Sequence, residues 1–477
     1  MKLNKKVLTI ILCTIILLFV GTSNTTRAVH QEKNRFAHTL HTNISLITPI
    51  NITSDEDFTK YAYDGSGTEE DPYIIEGYEI TGQDVTGIYI ANTTKYFIIR
   101  DCVIEGTSQG IHIVNVSDET ALITNNICIN IINQGIIVEN TNYAILRNNT
   151  CSETNMYGIH IRFTDYLILE QNTCNKNGMC GIFVDYSTST VIRKNIVIDN
   201  MLSGIIVQDT VKTLISENYC FDNDGMGGIV LTSSLNATII NNFCVDDFQV
   251  QDGINLYNSN GFIIKNNTIS YGGYGLFVSE SSHGVYTNNT CIENSKYGVY
   301  IKNGYNISIN ENNCSANDQG INLYNSSTIY IYNNSISKNT IGLTFDLSNH
   351  SIITFNSFEE NEQYAIIMDS SSSSNLIHHN TFIDNNLQGT SQACDNGHNN
   401  TWYDQSTKTG NYWSDKKGIG KYHIDGSSKS YDKFPLKKQP QQFAEKTSID
   451  FFIILISFLS TAILSYGIRN KYAFRQL

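Results

Sequence analysis

Seven cysteines recur at intervals of about 23 residues or its multiples, and each lies two residues after an asparagine. They are Cys128, Cys151, Cys174, Cys220, Cys244, Cys291 and Cys314, and Cys102 is expected to fill the same position in the first repeat. Thiols stacked at this spacing could pair as disulfides in an exported chain or hold the soft ion Cu(I) between two sulfurs. Other repeats carry Val197, Ile269, Ile336, Phe358 or Phe382 at the same place. A position shared by Cys, Val, Ile and Phe faces a core, so we expect these thiols to act as small buried hydrophobes.

Charged side chains and a histidine form a second group that could do chemistry. Glu139, Arg162 and Asp185 occupy one position in consecutive repeats. His160 lies two residues before Arg162. Strands stacked about 4.8 Å apart would place the two carboxylates about 9–10 Å apart, near the separation that inverting glycosidases use. These four residues are therefore the catalytic candidates if the protein is an enzyme, and an ion-pair ladder between neighbouring strands is the favoured interpretation.

The histidines do not form a metal-ligand pattern. His112 and His160 share one position two repeats apart, about 9–10 Å, which a single metal ion cannot bridge with bonds near 2 Å. The adjacent His378 and His379 are expected to point to opposite sides of a strand. No CxxC pair or Cys/His cluster in the sequence offers four converging ligands for zinc. We therefore predict no metal site and no cofactor, with copper as the alternative that stacked thiols leave open.

The elements that position these residues repeat along the chain. A phrase Gly-apolar-x-apolar returns every 22 to 25 residues, as in GIYI at Gly87 and GIHI at Gly158, and a degenerate AIIM begins at Ala365. Each repeat holds three short apolar stretches separated by polar turns, and these stretches are too short for helices. The pattern predicts an all-β fold, a right-handed parallel β-helix solenoid of about thirteen coils. At about 4.8 Å per coil, the rod would be on the order of 60 Å long.

Asparagine keeps the same interval throughout the repeats. The first series is Asn126, Asn149, Asn172, Asn195, Asn218, Asn242, Asn267, Asn289, Asn312, Asn334, Asn356 and Asn380, and a second asparagine usually follows five residues later. Asparagine tolerates the left-handed backbone that tight turns need, and stacked side-chain amides can hydrogen-bond to the copies above and below. We therefore expect a structural ladder rather than a row of ligand-binding side chains.

The x of each Gly-apolar-x-apolar phrase is expected to face solvent, because side chains alternate along a strand. These residues are Tyr89, His112, Ile137, His160, Phe183, Ile206, Val230, Asn255, Phe277, Tyr300 and Asn322. Such an exposed apolar stripe can bind sugars or proteins, whereas a covering loop or β propensity alone would leave it without a role. The candidate binding residues are Tyr89, His112, His160, Phe183, Phe277 and Tyr300.

Both ends of the chain indicate export and anchoring. Residues 1–28 combine early lysines with an apolar run, as in a signal peptide. Residues 451–468 form an uninterrupted apolar run long enough to cross a bilayer as a transmembrane helix. The basic residues of the tail 469–477 favour the cytoplasmic side. The remaining divisions are a lead-in at 29–63, the β-helix with its two caps at 64–436 and a linker at 437–450.

This orientation predicts a single-pass protein of the cell membrane, with the β-helix outside and the C-terminus in the cytoplasm. The formal net charge of −14 argues against nucleic acid as a partner, because an acidic exterior repels phosphate. The expected partners are the membrane, through the C-terminal helix, and a polysaccharide or a surface protein.

Two phrases flank the repeats: DGSGTEEDPYIIEGYEI at residues 64–80 and NTWYDQSTKTGNYWSDKKGIGKYHID at 400–425. With the coils between them, over roughly residues 50–436, they resemble the NosD-like family of right-handed parallel β-helix repeat proteins. That family is named for a periplasmic protein that assists copper-site maturation of nitrous oxide reductase, and many relatives are exported or surface proteins. An open stack needs atypical ends. Trp402 and Trp413, each two residues after an asparagine, are therefore expected to plug the core.

These observations predict a non-catalytic cell-surface protein with a structural or binding role, whose ligand is a carbohydrate or another surface protein. One alternative is an extracellular polysaccharide lyase or hydrolase that acts through the outer stripe, which rests on fold analogy. The other alternative, implied by the resemblance, is a NosD-like copper-site maturation factor.

Overall fold

Each repeat forms one turn of a solenoid that contains three short parallel strands. The computed structural model describes residues 49–246 and 251–440, which form a right-handed parallel β-helix of about fourteen turns. Strands at equivalent places of successive turns pair in register into three parallel sheets. We call them sheets 1, 2 and 3 in the order in which a turn passes through them.

Sheet 1 contains the Gly-apolar-x-apolar phrases. Its fifteen strands are Ile50–Ile52, Thr86–Ala91, Gln109–Val114, Ile136–Glu139, Ile159–Arg162, Cys180–Asp185, Ser203–Gln208, Gly227–Thr232, Ile254–Tyr257, Tyr274–Ser279, Tyr297–Lys302, Gln319–Tyr324, Ile341–Asp346, Ile366–Met368 and Ala393–Asp395.

Sheet 2 contains the central apolar pair of each repeat. Its fourteen strands are Tyr73–Glu76, Phe97–Arg100, Ala121–Thr124, Ile145–Arg147, Ile168–Glu170, Val191–Arg193, Leu214–Ser216, Thr238–Ile240, Ile263–Lys265, Val285–Thr287, Tyr305–Asn310, Ser327–Tyr332, Ile352–Thr354 and Leu376–His378.

Sheet 3 contains the position of the repeated cysteines. Its fifteen strands are Glu79–Thr81, Val103–Glu105, Ile127–Ile129, Thr150–Ser152, Thr173–Asn175, Ile196–Ile198, Tyr219–Phe221, Phe243–Val245, Thr268–Ser270, Thr290–Ile292, Asn313–Ser315, Ser335–Ser337, Ser357–Glu359, Thr381–Ile383 and Tyr412–Trp413. Outside the sheets lie a 3-10 helix, an α-helix and an antiparallel hairpin: Asp55–Asp57, Phe58–Tyr61, and Tyr422–His423 with Tyr431–Asp432.

The solenoid has about one turn more than the thirteen predicted, because the end segments add strands without the repeat phrase. Ile50–Ile52 pairs with the strand that begins at Thr86, and Ala393–Asp395 pairs with Ile366–Met368. Neither added strand carries the Gly-apolar-x-apolar phrase. The first of them also falls inside the segment 29–63 that was expected to be a lead-in.

The left-handed turn residues lie one place before the ladder asparagines. Gln171 and Lys194 both have a φ of 56°, and they directly precede Asn172 and Asn195. The expectation that the ladder asparagines themselves take this conformation is therefore wrong. Their side chains turn inward instead, and the predicted amide ladder is confirmed: Nδ2 of Asn149 donates to Oδ1 of Asn172 at 3.0 Å. The ladder satisfies buried backbone groups as well as its own amides.

A third ladder, of threonine and serine, lines the turn between sheets 1 and 2. The backbone N–H of Thr141 donates to Oγ1 of Thr164 at 3.3 Å, and the N–H of Thr164 donates to Oγ of Ser187 at 3.1 Å. These side chains are buried, and each follows a left-handed residue, as the asparagines do. The connections between the three strands of a repeat therefore carry polar side chains that point inward.

The predicted core role of the repeated cysteines is confirmed. Cys128, Cys151 and Cys174 lie in register on consecutive turns and are fully buried. The ten cysteines of the described residues are free thiols. Cys102 does not share their position: its N–H donates to Oδ1 of Asn126 at 3.1 Å, so it stands at the start of the asparagine ladder. Ile104 fills the core position opposite Cys128.

The glycine that begins each phrase is required by the close approach of the next turn. A Cβ placed on Gly158 would lie 2.6 Å from the carbonyl oxygen of Gly181 and 2.8 Å from the amide of Asn177. Both distances are shorter than van der Waals contact, so a side chain at this place would push neighbouring turns apart.

Aromatic rings close the C-terminal end, as predicted. Trp413 stacks on Phe382 with ring centroids 4.1 Å apart, and Tyr422 covers its other face at 4.0 Å. Oδ2 of Asp432 accepts a hydrogen bond from the Trp413 indole N–H at 3.0 Å. Trp402 is also buried, but it continues sheet 2 rather than the position of the repeated cysteines. At the other end, Phe58 is fully buried against the first turns.

Within residues 49–246 and 251–440, none of the helices has the length and apolar character that a membrane span requires. The predicted signal peptide 1–28 and the predicted span 451–468 both lie outside the described residues.

Candidate functional site on the outer face of sheet 1

The predicted outward residues form one column on sheet 1. His112, Ile137, His160 and Phe183 are direct neighbours on consecutive strands. The same register continues along the column, where Phe277 pairs with Tyr300 and Tyr300 pairs with Asn322. The stacking that the spacing predicts is therefore confirmed, and the column presents a different side chain at each turn.

The expectation that this whole column faces solvent is wrong. Buried members are Ile137, His160, Ile206, Val230, Asn255 and Asn322. In the middle of the column, Ile206 and Val230 pack with Cys180 into a small apolar cluster that Met179 and Leu202 cover. Side chains from the turn before each strand reach over the column, which alternation along the strand does not reveal. The column is therefore divided by this dry segment into an upstream and a downstream part.

The upstream part brings two histidine–carboxylate pairs together. Nε2 of His112 lies 3.0 Å from Oε2 of Glu139, and Nε2 of His160 lies 3.3 Å from Oδ1 of Asp185. The predicted register of Glu139, Arg162 and Asp185 is confirmed. Arg162 makes its ion pair with Asp185, at 3.3 Å between Nε and Oδ2. The charges of this group are thus locally balanced rather than shared along a continuous ladder.

The surroundings of His160 restrict what its imidazole can do. The ring stacks on Phe183 with centroids 5.0 Å apart, and Tyr157 lies at the same distance on a tilted plane. Nε2 faces Asp185, while Nδ1 is buried with no partner among the described residues. A general base must come within hydrogen-bond reach of the proton it removes. In this conformation a ligand in solvent does not reach the free nitrogen of His160.

The downstream part is an aromatic cluster formed by Tyr257, Tyr274, Phe277, Tyr297 and Tyr300. Phe277 and Tyr300 stack with centroids 5.4 Å apart, and Tyr274 stacks on Tyr297 at 5.3 Å. Tyr257 meets the edge of Phe277 at 5.3 Å. All five rings are partly exposed, so the cluster offers both apolar faces and phenol groups to a ligand. We call these five residues the aromatic cluster.

Polar groups border the aromatic cluster. Nζ of Lys296 lies 5.0 Å from the centroid of the Tyr274 ring. The carboxylate of Asp252 accepts hydrogen bonds from the Tyr274 N–H and the Asn255 amide, each at 3.0 Å. Burial raises the pKa of Asp252 to about 6. Asn255 and Asn322 pair with Phe277 and Tyr300, and each holds a buried Oδ1 with no partner among the described residues.

The sequence analysis identified two of the five rings. Phe277 and Tyr300 hold the x position, whereas Tyr274 and Tyr297 directly precede the glycine of their strands. The structure brings both pairs to one surface, since the pairing of these strands skips the glycine. A tyrosine directly before the glycine, also present as Tyr157, is the signal that could have found them. Tyr89, by contrast, lies at the far upstream end, where its ring meets His112 edge-on at 5.2 Å.

Comparison with protein families gives two matches along the solenoid. The family described as periplasmic copper-binding protein (NosD) matches residues 246–418, and the family described as right handed beta helix region matches residues 86–244. A comparison with curated proteins finds no match.

Several solved structures are similar to this chain. A periplasmic alginate epimerase, AlgG, is 16% identical over 65% of this chain and 84% of its own, with a TM-score of 0.42. The A-module of a mannuronan C-5 epimerase from Azotobacter vinelandii is 12% identical over 73% of this chain and 97% of its own, with a TM-score of 0.36. A DFA-IIIase from Arthrobacter chlorophenolicus A6 is 10% identical over 68% of this chain and 88% of its own, with a TM-score of 0.41.

The buried thiols do not fit the copper that the first family description names. Copper binds the thiolate, and burial raises the pKa of the Cys151 thiol well above its ordinary value. The stacked Cys128, Cys151 and Cys174 side chains lie inside the solenoid core, away from solvent. Among residues 49–246 and 251–440, no three His, Cys, Asp or Glu side chains are grouped so that they could hold a metal ion.

The His378–His379 pair differs from the prediction. His379 has a φ of 57°, and this left-handed turn brings the Nδ1 atoms of the two rings to 2.5 Å. The expectation that the two side chains point to opposite faces is therefore wrong, because the strand ends at His378. Burial lowers the pKa of both rings, so their neutral forms are favoured. The pair supplies two nitrogens and, within the described residues, no third ligand completes a site.

Proposed function

We propose that this chain, a NosD-like right-handed parallel β-helix repeat protein, binds a neutral glycan on the outer face of sheet 1. The observation that carries the proposal is the aromatic cluster, whose five partly exposed rings come from three consecutive turns. The ring faces of aromatic residues can stack on the apolar C–H faces of sugar rings, while phenol groups and amides bond to hydroxyls. The proposed role is binding, without catalysis.

The geometry of the solenoid supports an extended ligand that lies along the rod. Phe277 and Tyr300 are direct neighbours on successive strands, which are about 4.8 Å apart. This repeat is close to the length of one sugar residue in an extended glycan. Asn255 and Asn322 bound the ring pair on the neighbouring strands, and both side chains are buried. A glycan of two or more residues would therefore meet chiefly the ring faces and the phenol groups of the cluster.

The charge distribution supports a neutral rather than an acidic glycan. The chain carries a formal net charge of −14, and such a field repels polyanions. Asp252 lies beside the Tyr274 end of the cluster, and Asp346 accepts a hydrogen bond from Asn322 at 3.3 Å near the Tyr300 end. Lys296 is the cation that the structure places over one of the five rings.

The proposal is tested with the full chain and a panel of neutral hexasaccharides in titration calorimetry. The panel contains cellohexaose, maltohexaose, mannohexaose and the chitin hexasaccharide, with hexagalacturonate as the acidic comparison. We expect Tyr300→Ala to weaken binding of the preferred neutral glycan by about tenfold, which corresponds to about 1.4 kcal/mol. Tyr330→Ala removes an exposed tyrosine of sheet 2 and is the matched control. Wild-type protein that binds no member of the panel would contradict the proposal.

A second candidate function is cleavage of a polysaccharide at the upstream histidine–carboxylate group. The contact of His160 with Asp185, and of Asp185 with Arg162, is the observation that favours it. Loss of cleavage in the double variant Arg162→Ala and Asp185→Ala, with wild-type cleavage of the same glycan, would support this function. If wild-type protein cleaves none of the panel, the upstream group has a structural role.

We also propose that the solenoid is exported and tethered by residues 451–468, with the C-terminus inside the cell. The apolar character of that run and the basic residues after it support this arrangement. Carbonate extraction of membranes should leave the full chain in the pellet, and protease added to intact cells should degrade the solenoid. Recovery of the full chain in the soluble fraction would contradict the tether.

A further inference from the structure

Four exposed aromatic residues gather where the chain passes from sheet 1 to sheet 2. They are Tyr143, Phe163, Tyr166 and Tyr186, and we call them the corner patch. Their exposed fractions are 38%, 47%, 48% and 45%, which are high for rings of this size. They belong to three consecutive turns of the solenoid. None of them belongs to the column on sheet 1, so the corner patch consists of residues that the column does not include.

The backbone under the corner patch is unfavourable for aromatic side chains. All four residues have a left-handed backbone, with φ of 58°, 50°, 55° and 48° in chain order. A bulky residue is a rare outlier in this region, whereas asparagine and aspartate are tolerated. The positions equivalent to Phe163 and Tyr186 in other turns hold mostly asparagine or aspartate, as at Asn92, Asn115, Asn140, Asp209 and Asn258, and Leu347 is the large apolar exception. Neither turn preference nor strand propensity therefore explains the rings.

The rings are arranged in two short stacks. Tyr143 stacks on Tyr166 with centroids 4.7 Å apart and planes 8° apart. Phe163 stacks on Tyr186 with centroids 5.1 Å apart and planes 17° apart. Each stack ends after two rings, because the next turn has a serine, Ser189, beyond Tyr166 and an aspartate beyond Tyr186.

Arg162 connects the corner patch to the upstream part of the column. Its Cζ lies 4.9 Å from the centroid of Phe163 and 5.8 Å from that of Tyr186. Its charge is balanced by Asp185, 3.3 Å away on the next strand. The aromatic surface therefore continues from Phe183 and His160, across a neutralised ion pair, and onto the corner. This continuous surface runs parallel to the strands, across the long axis of the solenoid.

We propose that the corner patch is a second glycan-binding site, which holds a neutral glycan branch or chain that crosses the rod. The ligand class rests on the proposed function of the aromatic cluster. The balanced charge of Arg162 and the acidic net charge of the chain both favour a neutral sugar. Exposed rings held in an unfavourable backbone conformation are a local cost to stability that ligand contact explains.

Substitution by asparagine distinguishes a binding role from a structural role, because the two roles predict different changes in melting temperature and in glycan affinity. In the full chain, Tyr166→Asn and Tyr186→Asn place a tolerated residue on the left-handed backbone and remove an exposed ring. We expect the melting temperature to stay equal or rise, and the affinity for the preferred neutral hexasaccharide to fall by about tenfold. A ring with only a packing role would give the reverse, a lower melting temperature with unchanged affinity, and that result would overturn the proposal.

Leu347→Asn is the matched control. Leu347 is an exposed residue with a φ of 55° at the equivalent turn position of a distant repeat, and the substitution should leave glycan affinity unchanged. A measurement on the unmodified chain is independent of any variant: the hexasaccharide should slow nitration of Tyr166 and Tyr186 by tetranitromethane, read by mass spectrometry. Nitration at an unchanged rate would overturn the corner site even if a variant failed to fold.

The same experiments distinguish failure of the corner site from failure of the proposed function. If Tyr300→Ala weakens binding and the two asparagine variants do not, the aromatic cluster binds the glycan and the corner patch does not. If wild-type protein binds none of the panel, both proposals fail.

Discussion

The side-chain oxygen of Asn195 receives two hydrogen bonds from Asn172 on the preceding turn, one from its backbone N–H at 2.9 Å and one from its amide at 3.1 Å. The Asn195 amide in turn donates to the Leu169 carbonyl at 3.0 Å and to Oδ1 of Asn218 at 2.9 Å. One buried side chain thus joins three turns.

Replacement of this residue should weaken the solenoid strongly. Asn195→Ala leaves buried donors and acceptors on three turns without partners, at about 1–3 kcal/mol for each group that stays unsatisfied. We expect the free energy of unfolding in urea to fall by about 3 kcal/mol. Lys194→Asn changes the exposed left-handed residue next to it and should be neutral or slightly stabilising. Equal stability of Asn195→Ala and wild type would show that the ladder is not a stabilising element.

The stacked thiols should be unreactive in the folded protein. Burial raises the pKa of Cys151, and burial raises that of Cys291 to about 12, so few thiolates exist at neutral pH. Ellman's reagent should label these thiols only after denaturation, and anaerobic titration with Cu(I) should show no stoichiometric binding by them. Cu(I) binding that disappears in Cys151→Ser would contradict this prediction and would favour the copper-maturation alternative.

Asp252 should make stability depend on pH. Its pKa in the folded chain is about 6, above the ordinary value of 3.8. A raised pKa means that the folded state holds the proton more tightly, so this contribution to stability is full below about pH 4 and is lost as the pH rises through 6. Melting temperatures measured from pH 4 to pH 8 should therefore show a decline that Asp252→Asn removes. Asp199→Asn, at an exposed turn, is the control and should keep the decline.

Removal of the C-terminal plug should destabilise the chain. Trp413→Ala deletes a ring held between Phe382 and Tyr422, and large buried aromatic residues cost about 3–5 kcal/mol when truncated to alanine. The urea midpoint should fall accordingly. Tyr431 lies in the nearby hairpin and is partly exposed, so Tyr431→Ala should change stability by less than about 1 kcal/mol. A plug variant as stable as wild type would mean that other residues close the core.

Much of the fold could be predicted because identical positions of a solenoid meet identical surroundings. The interval of Asn172 and Asn195 predicts their stacking, and a position that holds either Cys174 or Val197 predicts its own burial. The strands Ile50–Ile52 and Ala393–Asp395 could not be found in this way. They lack the repeat phrase, and they pair because the backbone edges of the first and last turns need partners.

The candidate site was less predictable, since it depends on side chains that cross between repeats. Alternation placed His160 and Phe277 on one face, but it did not show that Nδ1 of His160 is buried. Nor did it show that Tyr274 and Tyr297 lean over the same column, because the strand pairing skips a glycine there.

The amino-acid sequence by itself determined the period, the three strands of each turn and the inward positions, because a repeated local pattern can bury its apolar face only by stacking on its copies. The tertiary structure alone decided which outward side chains meet: Phe163 with Tyr186, His112 with Glu139, and Phe277 with Tyr300. Those contacts depend on backbone angles at the turns and at the glycines, where a small change of angle moves the end of a long side chain far. Such changes do not alter the repeat pattern, so the sequence does not show them.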